Sequence, residues 1–169
     1  MTVEDFCPHF TRILAAVASD QRLELAARQI AAFFAVEPHE VGIFLVDSGG
    51  RTATFRWPPH SGSAINIPLK SFVSSLVATT ARERRGLVDN DFAKTPHLHM
   101  FEHGLSEREQ RVEVQRIMSV PVSGADGALR SILQVSRKGR TLEESGPAFN
   151  ELNLKALERI AVEFARLEF

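Results

Sequence analysis

One cysteine, Cys7, in 169 residues excludes an internal disulfide and leaves thiol redox catalysis without the resolving thiol it requires. Tyrosine is absent and tryptophan occurs once, at Trp57, so indole emission reports a single site. No segment approaches the roughly 18 consecutive apolar residues of a membrane span. The amino-terminal MTVEDFCPHF lacks the basic stretch and long apolar run of a secretory leader. The expected compartment is therefore the cytoplasm, with no membrane partner. Neither sign of charge dominates: 20 basic and 21 acidic side chains leave a net charge of -1. Nucleic acid is not expected as a partner, because affinity for a polyanion rests on clustered Lys and Arg. Gly-rich phosphate loops, a GxSxG elbow, HExxH and paired Cys-x-x-Cys motifs are all missing. Ser, His and Asp occur, but no spacing fixes them as a triad. A non-catalytic protein is expected.

What is present reads as one globular domain over 1–169. A chain of this length buries close to 70% of its unfolded surface and needs no metal or cofactor to fold. From Thr11 to about Ala35 there is no Gly or Pro, and Ile13, Leu14, Val17, Leu23, Ala26, Ala27, Ile30, Phe33 and Phe34 recur at helical spacing. This predicts one long amphipathic helix over 11–35. VGIFLVD (41–47) is apolar on both alternating faces, as in a strand covered on both sides. Ser48-Gly49-Gly50 then turns the chain into RTATFRW, which places Ala53, Phe55 and Trp57 on one face. After Pro58-Pro59 come a short apolar segment, INIPL, and a helix whose expected N-cap is Ser71. Leu87-Val88-Asp89 can add a brief strand. Residues 90 to about 114 have weak periodicity and read as a long loop or short helical turns covering the sheet.

MSVPVSGADGALRSILQVSRKGR (118–140) is a hairpin. Met118, Val120 and Val122 share one side of its first strand, and Leu129, Ser131, Leu133 and Val135 share one side of its second. Pro121 cannot donate to a ladder and must face a bulge or an open edge. The segment 147–168 carries Leu152, Ala156, Leu157, Ile160, Ala161, Phe164 and Leu167 at helical spacing, with Leu154, Val162 and Ala165 on a second stripe. The expected fold is α+β. It has a central antiparallel sheet of five to six strands (41–137), N- and C-terminal helices on one face and a covering helix or loop segment on the other.

The order VGIFLVDSGG, LVDND, RIMSVPVSGADGALRSILQVSRKG and PAFNELNLKALERIAVEFA resembles the GAF domain family of small-molecule sensors over nearly the whole chain. The resemblance implies a sensory or regulatory domain that holds a small organic ligand between sheet and cover, walled in part by the 118–140 hairpin, and signals through its terminal helices. Cyclic-nucleotide-binding members carry an Asn-Lys pair, a Phe and an Asp-Glu pair. The corresponding positions here read Arg137-Lys138, Phe149 and Asn153-Leu154, so a cyclic nucleotide is not the expected ligand. Members that attach linear tetrapyrroles use a cysteine, and a further branch reduces free methionine sulfoxide with several. Cys7 lies before the first predicted helix and stands alone, so no cofactor is expected.

Within this frame the candidate ligand-binding residues are Ser75, Asp89, Phe92, His97, Met118 and Gln134. His97, His99 and His103, beside Asp89 and Asp91, could share a metal, but spacing fixes no third ligand and histidines in polar loops usually face water; no metal site is assigned. Arg82, Arg84, Arg85, Arg137, Lys138 and Arg140 are expected to be neutralised by nearby Glu83, Asp89, Asp91, Glu143 and Glu144. The second apolar stripe predicts a homodimer built through the terminal helices. The competing reading is a dimerisation or protein-interaction module whose pocket is closed by side chains such as Phe92, Met100 and Phe101.

Overall fold

The computed structural model describes residues 1–59, 62–70, 75–95 and 112–167. Its α-helices are α1 (Val3–Ala15), α2 (Ser19–Phe34), α3 (Leu76–Glu83) and α4 (Glu151–Phe164). Its strands are β1 (Val41–Val46), β2 (Thr52–Trp57), β3 (Asn66–Pro68), β4 (Leu87–Asp89), β5 (Val114–Ser123) and β6 (Leu129–Lys138). They form one antiparallel sheet in the order β3-β2-β1-β6-β5-β4, as expected for the predicted α+β class.

The single helix predicted over 11–35 is in fact two. Phe6, Phe10 and Leu14 form the buried stripe of α1. On an uninterrupted helix of 3.6 residues per turn that stripe would come round again near roughly 24, 28 and 32. The buried side chains of α2 are instead Ala26, Ala27, Ile30, Ala31 and Phe34, centred more than about a third of a turn away. The chain breaks at Ala16–Ala18 to bring both stripes onto the same core. α1 also begins earlier than predicted, at Val3, because the Thr2 hydroxyl caps the Asp5 N–H at 3.2 Å.

The two faces of the sheet are packed differently. On one, Val41, Ile43, Met118, Val120, Val122, Leu133 and Val135 lie under α1, α2 and α4 in a continuous apolar core with Phe10, Leu14, Ile30, Leu157, Ile160 and Phe164. On the other, Phe44, Ala53, Phe55, Ile67 and Ile132 pack against Val77 of α3. Phe92, Val114 and Ile117 form a smaller cluster beside them.

Irregularities in the ladders correct two expectations. A register shift between Ile43 and Phe44 pairs Phe44 with Phe55 but Ile43 with Trp57. Trp57 consequently packs on the helix-covered core, away from Ala53 and Phe55, and donates its indole N–H to the Pro38 carbonyl at 2.9 Å. A second shift between Val122 and Ser123 turns Leu129 to the α3 side, away from Leu133 and Val135. Pro121 sits past the end of β4, which stops opposite Ser119, so β5 has an open outer edge there and needs no N–H.

Candidate functional site

Helix α3 starts at Leu76 rather than after Ser71, and its N-cap is Ser75. The apolar stripe of this short helix, Val77 with Ala81, faces the phenylalanine cluster. Thr80, fully buried and one turn after Leu76, faces the central strands instead. Its hydroxyl shares a 2.7 Å hydrogen bond with that of Ser119 and donates to the Leu76 carbonyl at 2.8 Å. Ser119 in turn accepts from the Gln134 side-chain amide at 3.1 Å, because Ser119 and Gln134 are register partners on β5 and β6.

The result is a buried polar row, Gln134-Ser119-Thr80, between sheet and α3. Gln134 is 1% exposed, and among the described residues no donor reaches its Oε1. Turning the amide over would only exchange an unpaired oxygen for an unpaired NH2, since Ser119 can serve either end. A buried polar atom without a partner is uncommon in native structures, and it costs about 1–3 kcal/mol of desolvation.

The predicted site residues divide. Ser75, Phe92 and Gln134 lie on the α3 side. The Ser75 hydroxyl caps the Ala78 N–H at 3.5 Å, and Phe92 packs among Val114 and Ile117. Asp89 is at the rim, where its carboxylate accepts from the Asp91 N–H at 2.9 Å and the Thr95 hydroxyl at 2.7 Å and thereby shapes the turn that follows β4. Met118 is corrected: strand alternation puts it, fully buried, on the helix-covered face opposite its neighbour Ser119. His97 lies outside the described residues, as do His99 and His103. Among the described residues no group of three His, Cys, Asp or Glu side chains could hold a metal.

The positions aligned above with a cyclic-nucleotide signature serve the packing of the terminal helices. The Arg137 guanidinium donates to the Phe34 and Ala35 carbonyls at the end of α2, at 3.1 and 3.4 Å, and stacks on Phe149 with 4.9 Å to the ring centre. Asn153 forms a reciprocal capping box with Asn150 at the start of α4. Leu154 packs against the helix-side core.

Sequence reasoning missed three residues. Ser119 was detectable as a polar side chain inside an apolar run, on the face of β5 opposite Met118, Val120 and Val122, and Thr80 as a residue one turn after Leu76 on α3. Asn90 gave no such signal. Its side-chain amide donates to the Phe149 carbonyl and accepts from the Phe149 N–H, both at 2.9 Å, tying the end of β4 to the entry of α4. Cys7 lies far from this row, buried in α1 against α4; burial and then the Glu163 carboxylate push its thiol above the ordinary range.

No family model matches the sequence, and no curated protein matches it significantly. Solved structures do. The GAF domain of an Acinetobacter phosphoenolpyruvate-protein phosphotransferase superposes with a TM-score of 0.71 at 14% identity, over 97% of this chain and 90% of that one. The chain has the GAF-domain fold. A second phosphotransferase GAF domain, from Coxiella burnetii, gives 0.69 at 16% identity over 98% and 92% of the two chains. The free methionine-R-sulfoxide reductase of Neisseria meningitidis, solved with its substrate, gives 0.68 at 17% identity over 97% and 86%. Among the described residues, no helix of this GAF fold is long and apolar enough to cross a membrane.

Proposed function

We propose that the chain is a non-catalytic sensory or regulatory domain that holds a small organic ligand on the α3-side face of the sheet, beside residues 90–95 after β4. The carrying observation is the unpaired Gln134 Oε1 at the end of a buried hydroxyl row. A ligand N–H or O–H donated to that oxygen would remove the cost of leaving it unpaired. The GAF fold supports the reading, since its Neisseria relative was solved with a small substrate. Reductase chemistry is not part of the proposal: the single thiol sits on the opposite side of the sheet and is held protonated by burial.

The output is placed in the terminal helices, with Asn90 as the physical route, because its paired bonds to Phe149 couple the ligand-side segment to α4. Dimerisation through α4 belongs to the same proposal. Val162 is 47% and Leu152 76% exposed, and a second copy would cover them. A stable pairing of that kind should bury more than about 1,200 Å² in total.

Native mass spectrometry of freshly purified protein tests the ligand proposal, with a bound small mass expected in the wild type and less of it in Gln134→Leu. Absence of any bound mass, together with no melting shift across a metabolite library, would leave the closed-pocket interaction module as the better account.

A further inference from the structure

The arginines at the end of α3 are not neutralised in the way the sequence suggests. Glu83 pairs with Arg85 at 2.7 Å, and Asp91 with Lys94 at 3.2 Å. Among the described residues Arg82 reaches only the Thr79 hydroxyl, at 3.4 Å, and Arg84 only the Gly127 carbonyl, at 3.3 Å. Both side chains line a cleft of about 910 Å³, together with Lys70, the β1–β2 turn Ser48-Gly49-Gly50, and Leu69, Ala81, Ala128 and Leu129. Among the described residues no carboxylate lines it and none pairs with Lys70, Arg82 or Arg84.

Beside the cleft the β1–β2 turn carries Arg51 and Asp47, whose opposite charges offset each other and leave the three cleft cations in excess. The acid at the start of that turn, Asp47, is engaged by the Arg51 and Thr52 N–H groups at 2.7 and 3.0 Å. Arg84 itself adopts the left-handed conformation, φ 55°, at a helix end where glycine is the usual residue. Its guanidinium reaches the hairpin turn, where it donates to the Gly127 carbonyl.

We propose that this cleft binds a phosphorylated small molecule, its phosphate held by Lys70, Arg82 and Arg84 and its organic part lying against Leu69 and Leu129. Three unneutralised cations match a dianion better than a single carboxylate, and arginine forks suit phosphate oxygens. The apolar floor distinguishes a phosphate ester from the bare ion. The site is separate from the one proposed above: Leu129 and Gln134 are five positions apart on β6, about 16 Å at the usual rise of a strand, and Phe44 and Ile132 pack on the same face of the sheet.

Calorimetric titration of the whole chain with phenyl phosphate, inorganic phosphate and phenol tests the assignment. Phenyl phosphate should bind saturably and more tightly than inorganic phosphate, with phenol inactive. Arg82→Gln combined with Arg84→Asn should weaken binding by about tenfold or more, as loss of two charged donors implies, while asparagine still tolerates the left-handed backbone. Lys70→Gln, on a loop, should weaken it alone and guards against a folding defect in the double variant. Arg85→Gln and Gln134→Leu should leave affinity unchanged. Lack of saturable binding at millimolar probe, undiminished binding by the variants, equal binding of phenol, or tighter binding of a short oligouridylate would each overturn the proposal.

Discussion

The two faces of the sheet are built from alternate residues of the same strands, yet they solve different problems. Met118, Val120 and Val122 point into a dry core closed by three helices. Their neighbours Ile117, Ser119 and Pro121 point the other way, where the described cover is one short helix and a turn around Phe92. The first face has its polar groups at the periphery, as with Arg137 at the end of α2. The second buries the amide of Gln134 and the hydroxyls of Ser119 and Thr80 at its centre. Each face holds a buried polar atom without a partner among the described residues, Arg137 Nε at the edge of the first and Gln134 Oε1 at the centre of the second. The proposed ligand belongs to the second face because its unpaired atom ends a row of buried hydroxyls rather than lying at a helix end.

The contrast can be broken most severely on the helix side. Phe10→Ala, which empties a fully buried ring position between α1 and the core, should cost about 3–5 kcal/mol in chemical denaturation. Asn90→Ala lies on the link between the faces and should cost about 1–3 kcal/mol by leaving the Phe149 N–H and carbonyl without their partner. Its more specific effect should be on communication: hydrogen exchange at the start of α4 should rise without a matching rise in β5 and β6.

Smaller effects sharpen the same division. Val162→Glu, on the exposed side of α4, should change folding stability by less than about 0.5 kcal/mol, the usual range for surface substitutions, while light scattering shifts from dimer to monomer mass. A monomeric wild type at high micromolar concentration would contradict the proposed assembly. The Cys7 thiol gives a pH handle on the helix side. Its folded-state pKa is raised by burial and by Glu163, so the folded chain keeps this proton when the unfolded chain has lost it. The associated stability is present below the ordinary thiol range near pH 8.5 and declines as pH rises through the raised folded-state value. Wild type should therefore lose more stability than Cys7→Ala in that window, read as the difference between their alkaline unfolding curves.

Much of the architecture was legible because it follows from periodicity. The strand alternation in 41–57 and 118–137 and the helical spacing in 147–168 each carry a strong two-sided pattern, and the Asp126-Gly127 turn needs the positive φ, 77°, that Gly127 supplies. What was not legible was phase. Apolar spacing over 11–35 cannot reveal that the buried azimuth jumps by more than about a third of a turn near Val17, and alternation in RTATFRW cannot reveal the register shift that moves Trp57 to the helix side. Met118 shares its side of β5 with Val120 and Val122, as strand alternation predicts, and that side is the helix-covered core. The other nominated residues Ser75, Phe92 and Gln134 lie with Ser119 on the α3 side. Asn90 escaped because an asparagine after a short strand looks like any turn residue until Phe149 is seen beside it.

The division between the faces rests on Gln134, and the unfolding free energy of ligand-free Gln134→Leu tests it most directly. Leucine of similar size removes the unpaired amide end and leaves Ser119 bonded to Thr80, so stability should equal or exceed that of the wild type. A loss of more than about 2 kcal/mol would contradict the account, showing that the amide holds the sheet and its cover together rather than standing ready for a ligand.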